Sequence, residues 1–73
     1  MENKSEVARI RERIERECEA IHRVFEEPAI VASHASIEAR YRNLHGLTKE
    51  LEPHVGEQEA TSILVEVYHK VVG

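Results

Sequence analysis

Hydrophobic residues recur every three or four positions in three separate stretches of the chain, which is the spacing of one face of an α-helix. The first predicted helix covers residues 4–27, with a cap at Asn3 or Ser5. It ends before Pro28, because proline disfavours the helical conformation of the residue that precedes it. Its apolar residues form a narrow seam with coiled-coil spacing: Val7, Ile10, Ile14, Cys18, Ile21 and Phe25.

Two shorter helices are predicted over residues 35–52 and 57–72. Pro53 is expected to end the second helix, and Gly56, followed by acidic residues, marks the start of the third. The second helix presents Ile37, Tyr41, Leu44, Leu47, Thr48 and Leu51 to the core, and the third presents Ala60, Ile63, Leu64, Val67, Tyr68, Val71 and Val72. The pattern predicts an all-α chain of three helices in one domain, residues 1–73, with no assignment for residues 28–34.

The first predicted helix is markedly longer than the other two, so a hairpin of the shorter helices would cover only part of its seam. A chain of 73 residues also has a core that stabilises the fold only marginally. A second copy of the chain would cover the rest of the seam. We therefore expect a homodimer that forms a helical bundle, with the six seam residues at its interface.

Charge and composition argue against several classes of partner. The net charge of −4 disfavours nucleic acids and anionic membranes, and no apolar run approaches the roughly 18 residues that a membrane span needs. The arginines of the first helix alternate with glutamates in pairs of helix-stabilising spacing: Glu12–Arg16, Arg13–Glu17 and Glu19–Arg23. We expect no nucleic-acid partner and no membrane partner.

Cys18 is the only cysteine, so a disulfide within the chain is excluded and a reducing compartment is indicated. The N-terminal residues also lack the hydrophobic core of a signal peptide, and we expect a cytoplasmic protein. On the seam, the thiol of Cys18 is expected to behave as a small hydrophobic group rather than as a nucleophile.

Five histidines raise the question of a metal site. Glu66 and His69 have the Glu-x-x-His spacing of di-iron helical bundles, and Glu38 supplies a further carboxylate. On a helical wheel, however, Glu66 lies roughly 140° from the apolar centre and His69 roughly 160° on the other side. Glu38, Glu66 and His69 are therefore the candidate metal ligands, but a solvated pair is favoured and no cofactor is expected.

His34 and His45 lie at the edge of the apolar stripe of the second helix. They are either half-exposed and hydrogen-bonded, which we favour, or part of a subunit interface that responds to pH. Gly46, in the middle of the same helix, is either tolerated there or permits the close approach of a partner.

These patterns favour a non-catalytic oligomerisation or protein–protein interaction module over an enzyme. One alternative is a helical bundle that binds metal through histidine and glutamate. A second alternative is a small transcriptional regulator, which the charge pattern disfavours.

Overall fold

The computed structural model describes residues 5–26 and 34–73, apart from the side chains of Phe25, His34 and Ala35. In this part of the chain three α-helices form and no strand: α1 (Glu6–Glu26), α2 (His34–Val55) and α3 (Glu57–Val71). Each helix packs against both of the others, which confirms the predicted all-α bundle. None of the described helices is long and apolar enough to span a membrane. Asn3 and Pro28 lie outside the described residues.

Local hydrogen bonds explain where α1 begins and how α2 joins α3. The Ser5 hydroxyl accepts a hydrogen bond from the Ala8 N–H at 3.1 Å, which is the geometry of a helix N-cap. Gly56 alone separates α2 from α3, with φ +92° and ψ 160°. Its N–H donates to the Glu52 carbonyl at 2.8 Å, and its carbonyl accepts from Ala60 at 3.0 Å. Gly56 thus follows the last turn of α2 and caps the first turn of α3, as predicted.

The predicted end of the second helix at Pro53 was wrong, because α2 continues through this proline to Val55. Proline has no N–H to donate to the carbonyl four residues earlier, so one helical hydrogen bond is lost. Pro53 is exposed and lies in the last turn, where the Gly56–Glu52 hydrogen bond still closes the helix. As a result α2 has 22 residues and α1 has 21, so the prediction that the first helix is longer than the second was wrong. The first helix is longer than α3, which has 15 residues, as predicted.

The core contains residues from all three helices, and four of the six seam residues of α1 are buried in it. The buried hydrophobic residues are Ile10, Ile14, Cys18, Ile21, Leu44, Leu47, Leu51, Ala60, Ile63 and Val67. The four seam residues of this set are at most 2% exposed, and Val7 is partly buried against the same cluster. Ile10, Ile14, Cys18 and Ile21 are thus covered within one chain, so these four residues do not need a second copy to bury them. Of the other two residues of the predicted interface, Val7 is partly buried, and the side chain of Phe25 lies outside the described part of the chain.

Two polar side chains of the predicted α2 core face differ in their surroundings. Thr48 is buried, and its hydroxyl donates to the Leu44 carbonyl at 2.8 Å. Tyr41 was expected in the core but is 40% exposed. Its phenol group reaches past the core edge to the hydroxyl of Tyr68, 2.8 Å away. A tyrosine in this position packs its ring while its hydroxyl stays near water.

Candidate functional site

The described residues expose two large hydrophobic side chains, Tyr41 and Val65, and both line one groove between α2 and α3. This α2–α3 groove has a volume of about 270 Å³ and is lined by Tyr41, Leu44, His45, Leu64, Val65, Tyr68 and His69. None of these residues is an aspartate, glutamate, lysine or arginine, although such residues make up 33% of the chain. The groove is therefore an apolar patch on a surface that is otherwise densely charged.

The two tyrosines of the α2–α3 groove contact each other across the two helices. The ring centroids of Tyr41 and Tyr68 lie 6.4 Å apart with an interplanar angle of 38°, which is a favourable aromatic distance. The hydrogen bond between the two hydroxyls, followed by burial and the charges of ionised Tyr41 and Cys18, raises the pKa of Tyr68 to about 12. The Tyr68 phenol is therefore neutral near pH 7 and adds no charge to the groove.

His45 connects the α2–α3 groove to two neighbouring depressions. The first is lined by Glu38, Tyr41, Arg42 and His45. The second lies beside His45 in the direction of the α2–α3 junction and is lined by Thr48, Lys49, Glu52, Glu57, Thr61 and Leu64. The apolar centre is thus continuous with charged residues at both ends. An apolar core with a polar rim is the usual anatomy of a protein–protein interface.

A second groove, between α1 and α2, is polar. This α1–α2 groove has a volume of about 460 Å³ and is lined by Arg13, Arg16, Glu17, Arg42, Asn43, Gly46, Leu47 and Glu50. Ion pairs join the two helices here: Arg13 to Glu50 at 3.2 Å, both of which line the groove, and Glu17 of the lining to Arg40 at 3.3 Å. Asn43 also donates to Glu17 at 3.4 Å.

These contacts correct the predicted pairing of Arg13 with Glu17 along α1. Each of the two side chains finds its partner on α2 instead, because the facing helix places opposite charges within reach. On the other side of α1, Arg11 pairs with Glu66, and Glu15 with Lys70, both at 3.5 Å. Exposed pairs of this kind contribute at most about 1 kcal/mol each. They help to orient the helices, while burial supplies most of the stability.

The three candidate metal ligands are not brought together. Glu66 turns towards α1 and pairs with Arg11, whereas His69 lines the α2–α3 groove. Glu38 lies on α2 in the depression that it shares with Arg42. No group of three or more histidine, cysteine, aspartate or glutamate side chains within residues 5–26 and 34–73 has the arrangement of a metal site.

Cys18 is buried in the core, as its position on the seam predicted. Burial raises the pKa of its thiol, and the negative charges of Glu17, Glu15 and Glu19 raise it further. A raised pKa keeps the sulfur protonated near pH 7, and a protonated buried thiol is a poor nucleophile. The side chain is part of the hydrophobic packing.

The periodicity of the apolar residues does not indicate the α2–α3 groove. Val65 is an apolar residue that falls outside the predicted core face of α3, and that departure from the pattern was the available signal. Comparisons of the chain with protein-family models, with curated proteins and with solved structures gave no match.

Proposed function

We propose that this protein is a small, non-catalytic interaction module that forms a homodimer through the α2–α3 groove. One observation carries the proposal: the two large hydrophobic side chains exposed by the described residues, Tyr41 and Val65, lie on this one groove. Covering them with a second protein surface removes apolar area from water, which is the main driving force of association.

The composition of the groove supports a protein surface as its ligand. Interface cores are depleted of charged residues and enriched in tyrosine, and the lining combines two tyrosines with leucine, valine and histidine. Tyr41 is held by its hydrogen bond to Tyr68, so little side-chain freedom is lost when a partner binds.

The geometry favours a second copy of the same chain as the partner. In a twofold interface the same patch of both subunits meets. This patch must therefore contain both a concavity and groups that can pack against the concavity of the partner. The α2–α3 groove provides the concavity, and Val65 at 48% exposure and Tyr41 at 40% provide exposed apolar surface that a second copy can cover. The molecule measures 41 × 28 × 19 Å, so a broad side can supply the roughly 800 Å² per partner that a stable interface buries.

This interface differs from the seam of α1 that the sequence suggested. The seam residues Ile10, Ile14, Cys18 and Ile21 lie in the core of the single chain, whereas the groove lies on its surface. The dimer is proposed here on the exposed apolar groove, independently of helix length.

We further propose that the module works in the cytoplasm. Its single cysteine, Cys18, is a free thiol packed in the core, where it contributes as a hydrophobic group. Such a residue suits a reducing compartment, in which thiols are not oxidised to disulfides.

The test is the molar mass in solution over a series of protein concentrations, measured by light scattering and sedimentation. The wild-type chain, of 8.4 kDa, is expected to reach twice that mass. Val65→Glu is expected to weaken self-association by at least about tenfold, because it would bury an unpaired carboxylate in the interface.

Ser62→Glu is the matched control, since Ser62 is an exposed residue of the same helix and does not line the groove. It adds the same charge and is expected to leave the dimer intact. A wild-type chain that stays at 8.4 kDa at all concentrations, or a dimer that tolerates Val65→Glu, would refute the proposal.

A further inference from the structure

The α1–α2 groove holds positive charge that the chain itself does not neutralise. Of the three arginines that line it, Arg13 is paired with Glu50. Arg16 and Arg42 are exposed, and neither makes an ion pair or a side-chain hydrogen bond with any of the described residues. The two carboxylates of the groove are already engaged, Glu50 by Arg13 and Glu17 by Arg40 and Asn43.

Gly46 keeps this groove open. It is exposed in the middle of α2, and a Cβ atom added to it would meet no atom within 4 Å. Packing inside the chain therefore gives no reason for a glycine, although a glycine weakens a helix interior. Its effect is to leave the groove without a side chain at this position, beside Leu47 and the arginines.

We propose that the α1–α2 groove binds the carboxylates of an acidic segment of a partner protein, with Arg16 and Arg42 as the binding residues. The planar guanidinium group suits carboxylates because it can donate two parallel hydrogen bonds to both oxygens of one carboxylate. The open position at Gly46 lets the partner backbone approach the surface of α2.

An acidic protein segment fits this groove better than a nucleic acid does. Nucleic acids present closely spaced phosphates, and proteins that bind them cluster positive charge without acidic residues on the same face. Glu17 and Glu50 line the same groove as the arginines and would repel a continuous row of phosphates. A protein segment spaces its carboxylates along its backbone and can place neutral residues opposite these two glutamates.

The inference extends beyond the proposed dimer, because it concerns a different groove. The α2–α3 groove and the α1–α2 groove share no lining residue. Arg42 lies between them, since it also lines the depression that contains Glu38 and His45. In a dimer built on the α2–α3 groove Arg42 lies at the edge of the interface, while Arg16 and Gly46 lie outside it. Such a dimer would make the protein an adaptor that displays two copies of an acid-binding site beside its interface.

The experiment measures binding of a fluorescent polyglutamate peptide to the full chain by anisotropy, at low and at moderate salt. The double variant Arg16→Gln/Arg42→Gln is expected to bind about tenfold more weakly, since two charge-assisted contacts are lost. Arg9→Gln/Arg23→Gln removes the same net charge from exposed arginines that do not line the groove, and it is expected to change the affinity less than about twofold.

Gly46→Leu is the second test, because it fills the groove and leaves every charge in place. It is expected to weaken peptide binding at least about fivefold while the helical circular dichroism stays unchanged, since there is open space at this position. Equal losses in the two arginine pairs would overturn the proposal by showing a response to net charge alone. Tighter binding of a DNA duplex than of the peptide would also overturn it.

These measurements separate the two proposals. A Val65→Glu variant that is monomeric and still binds the peptide would retain the acid-binding groove and confirm that the two grooves act independently. A peptide that binds none of the forms of the protein would overturn the acid-binding proposal, whatever the molar mass.

Discussion

The hydroxyl groups of Tyr41 and Tyr68 lie 2.8 Å apart and join the N-terminal half of α2 to the C-terminal part of α3. The two residues are 27 positions apart in the chain, and their rings line the α2–α3 groove. The bond therefore links the two helices at the groove where we propose that a second chain packs. It also perturbs the titration of Tyr68, which makes the contact measurable.

The first prediction concerns this titration. Tyr41→Phe leaves Tyr68 as the only tyrosine and removes the largest cause of its raised pKa. We expect the pKa of Tyr68 to fall from about 12 towards the ordinary value of about 10, as followed by the ultraviolet absorbance of the phenolate. The cost in folding free energy should be below about 1 kcal/mol, because the bond is partly exposed. A titration of Tyr68 that does not move would contradict the hydrogen bond.

The same shift predicts how stability responds to alkali. The folded chain keeps the Tyr68 proton up to about pH 12, whereas the unfolded chain loses it near about pH 10. Between these values the folded state binds more protons, so the free energy of unfolding falls as the pH rises. Below about pH 10 this contribution is fully present. Urea denaturation across this range should show a steeper alkaline loss in the wild type than in Tyr41→Phe.

Replacing each of two glycines by alanine is expected to change the free energy of unfolding in opposite directions. Gly46 has an ordinary helical backbone and open space around it, so Gly46→Ala should stabilise the fold by up to about 1 kcal/mol. Gly56 has φ +92° and ψ 160°, a region that residues with a Cβ rarely adopt, so Gly56→Ala should cost about 1–3 kcal/mol. Thermal unfolding of the two variants checks both values. Each variant is the control for the other. Melting temperatures that shift in the same direction would contradict the backbone conformations described for the two glycines.

Pro53 provides a third stability prediction. Alanine at this position restores an N–H that can donate to the carbonyl four residues earlier in α2. The gain is partly offset, because proline also restricts the unfolded chain. We expect Pro53→Ala to raise the free energy of unfolding by about 1 kcal/mol, as measured by denaturation with urea. A loss of stability would mean that the proline ring makes packing contacts that its exposed position does not suggest.

The helices could be predicted because their signals are local. The apolar period, the cap at Ser5 and the break at Gly56 depend on residues a few positions apart. The end of α2 was predicted wrongly at Pro53. The free-energy cost of a proline depends on its position in the helix and on the exposure of its ring, and the sequence shows neither.

The surface features were harder to predict because they depend on contacts between helices. Arg13 and Glu17 have the spacing of a pair within α1, but each pairs with α2. Tyr41 has the spacing of a core residue, yet its length takes it to the edge of the core. The rotation of each helix about its own axis decides which of its outward-facing residues lie in a groove beside another helix. Periodicity gives that rotation only approximately.

The last prediction separates the seam of α1 from the α2–α3 groove. Ile14 is fully buried in the single chain, so Ile14→Ala should lower the free energy of unfolding by about 2–4 kcal/mol through lost burial and a residual cavity. The folded fraction of this variant should retain the wild-type molar mass, because the proposed interface is untouched. Val65→Glu should do the reverse, with loss of the dimer and little change in the stability of each chain, because Val65 is 48% exposed. Sedimentation combined with denaturation at several protein concentrations measures both quantities. A dimer that dissociates in Ile14→Ala and persists in Val65→Glu would show that the interface lies on the seam of α1 and not in the α2–α3 groove.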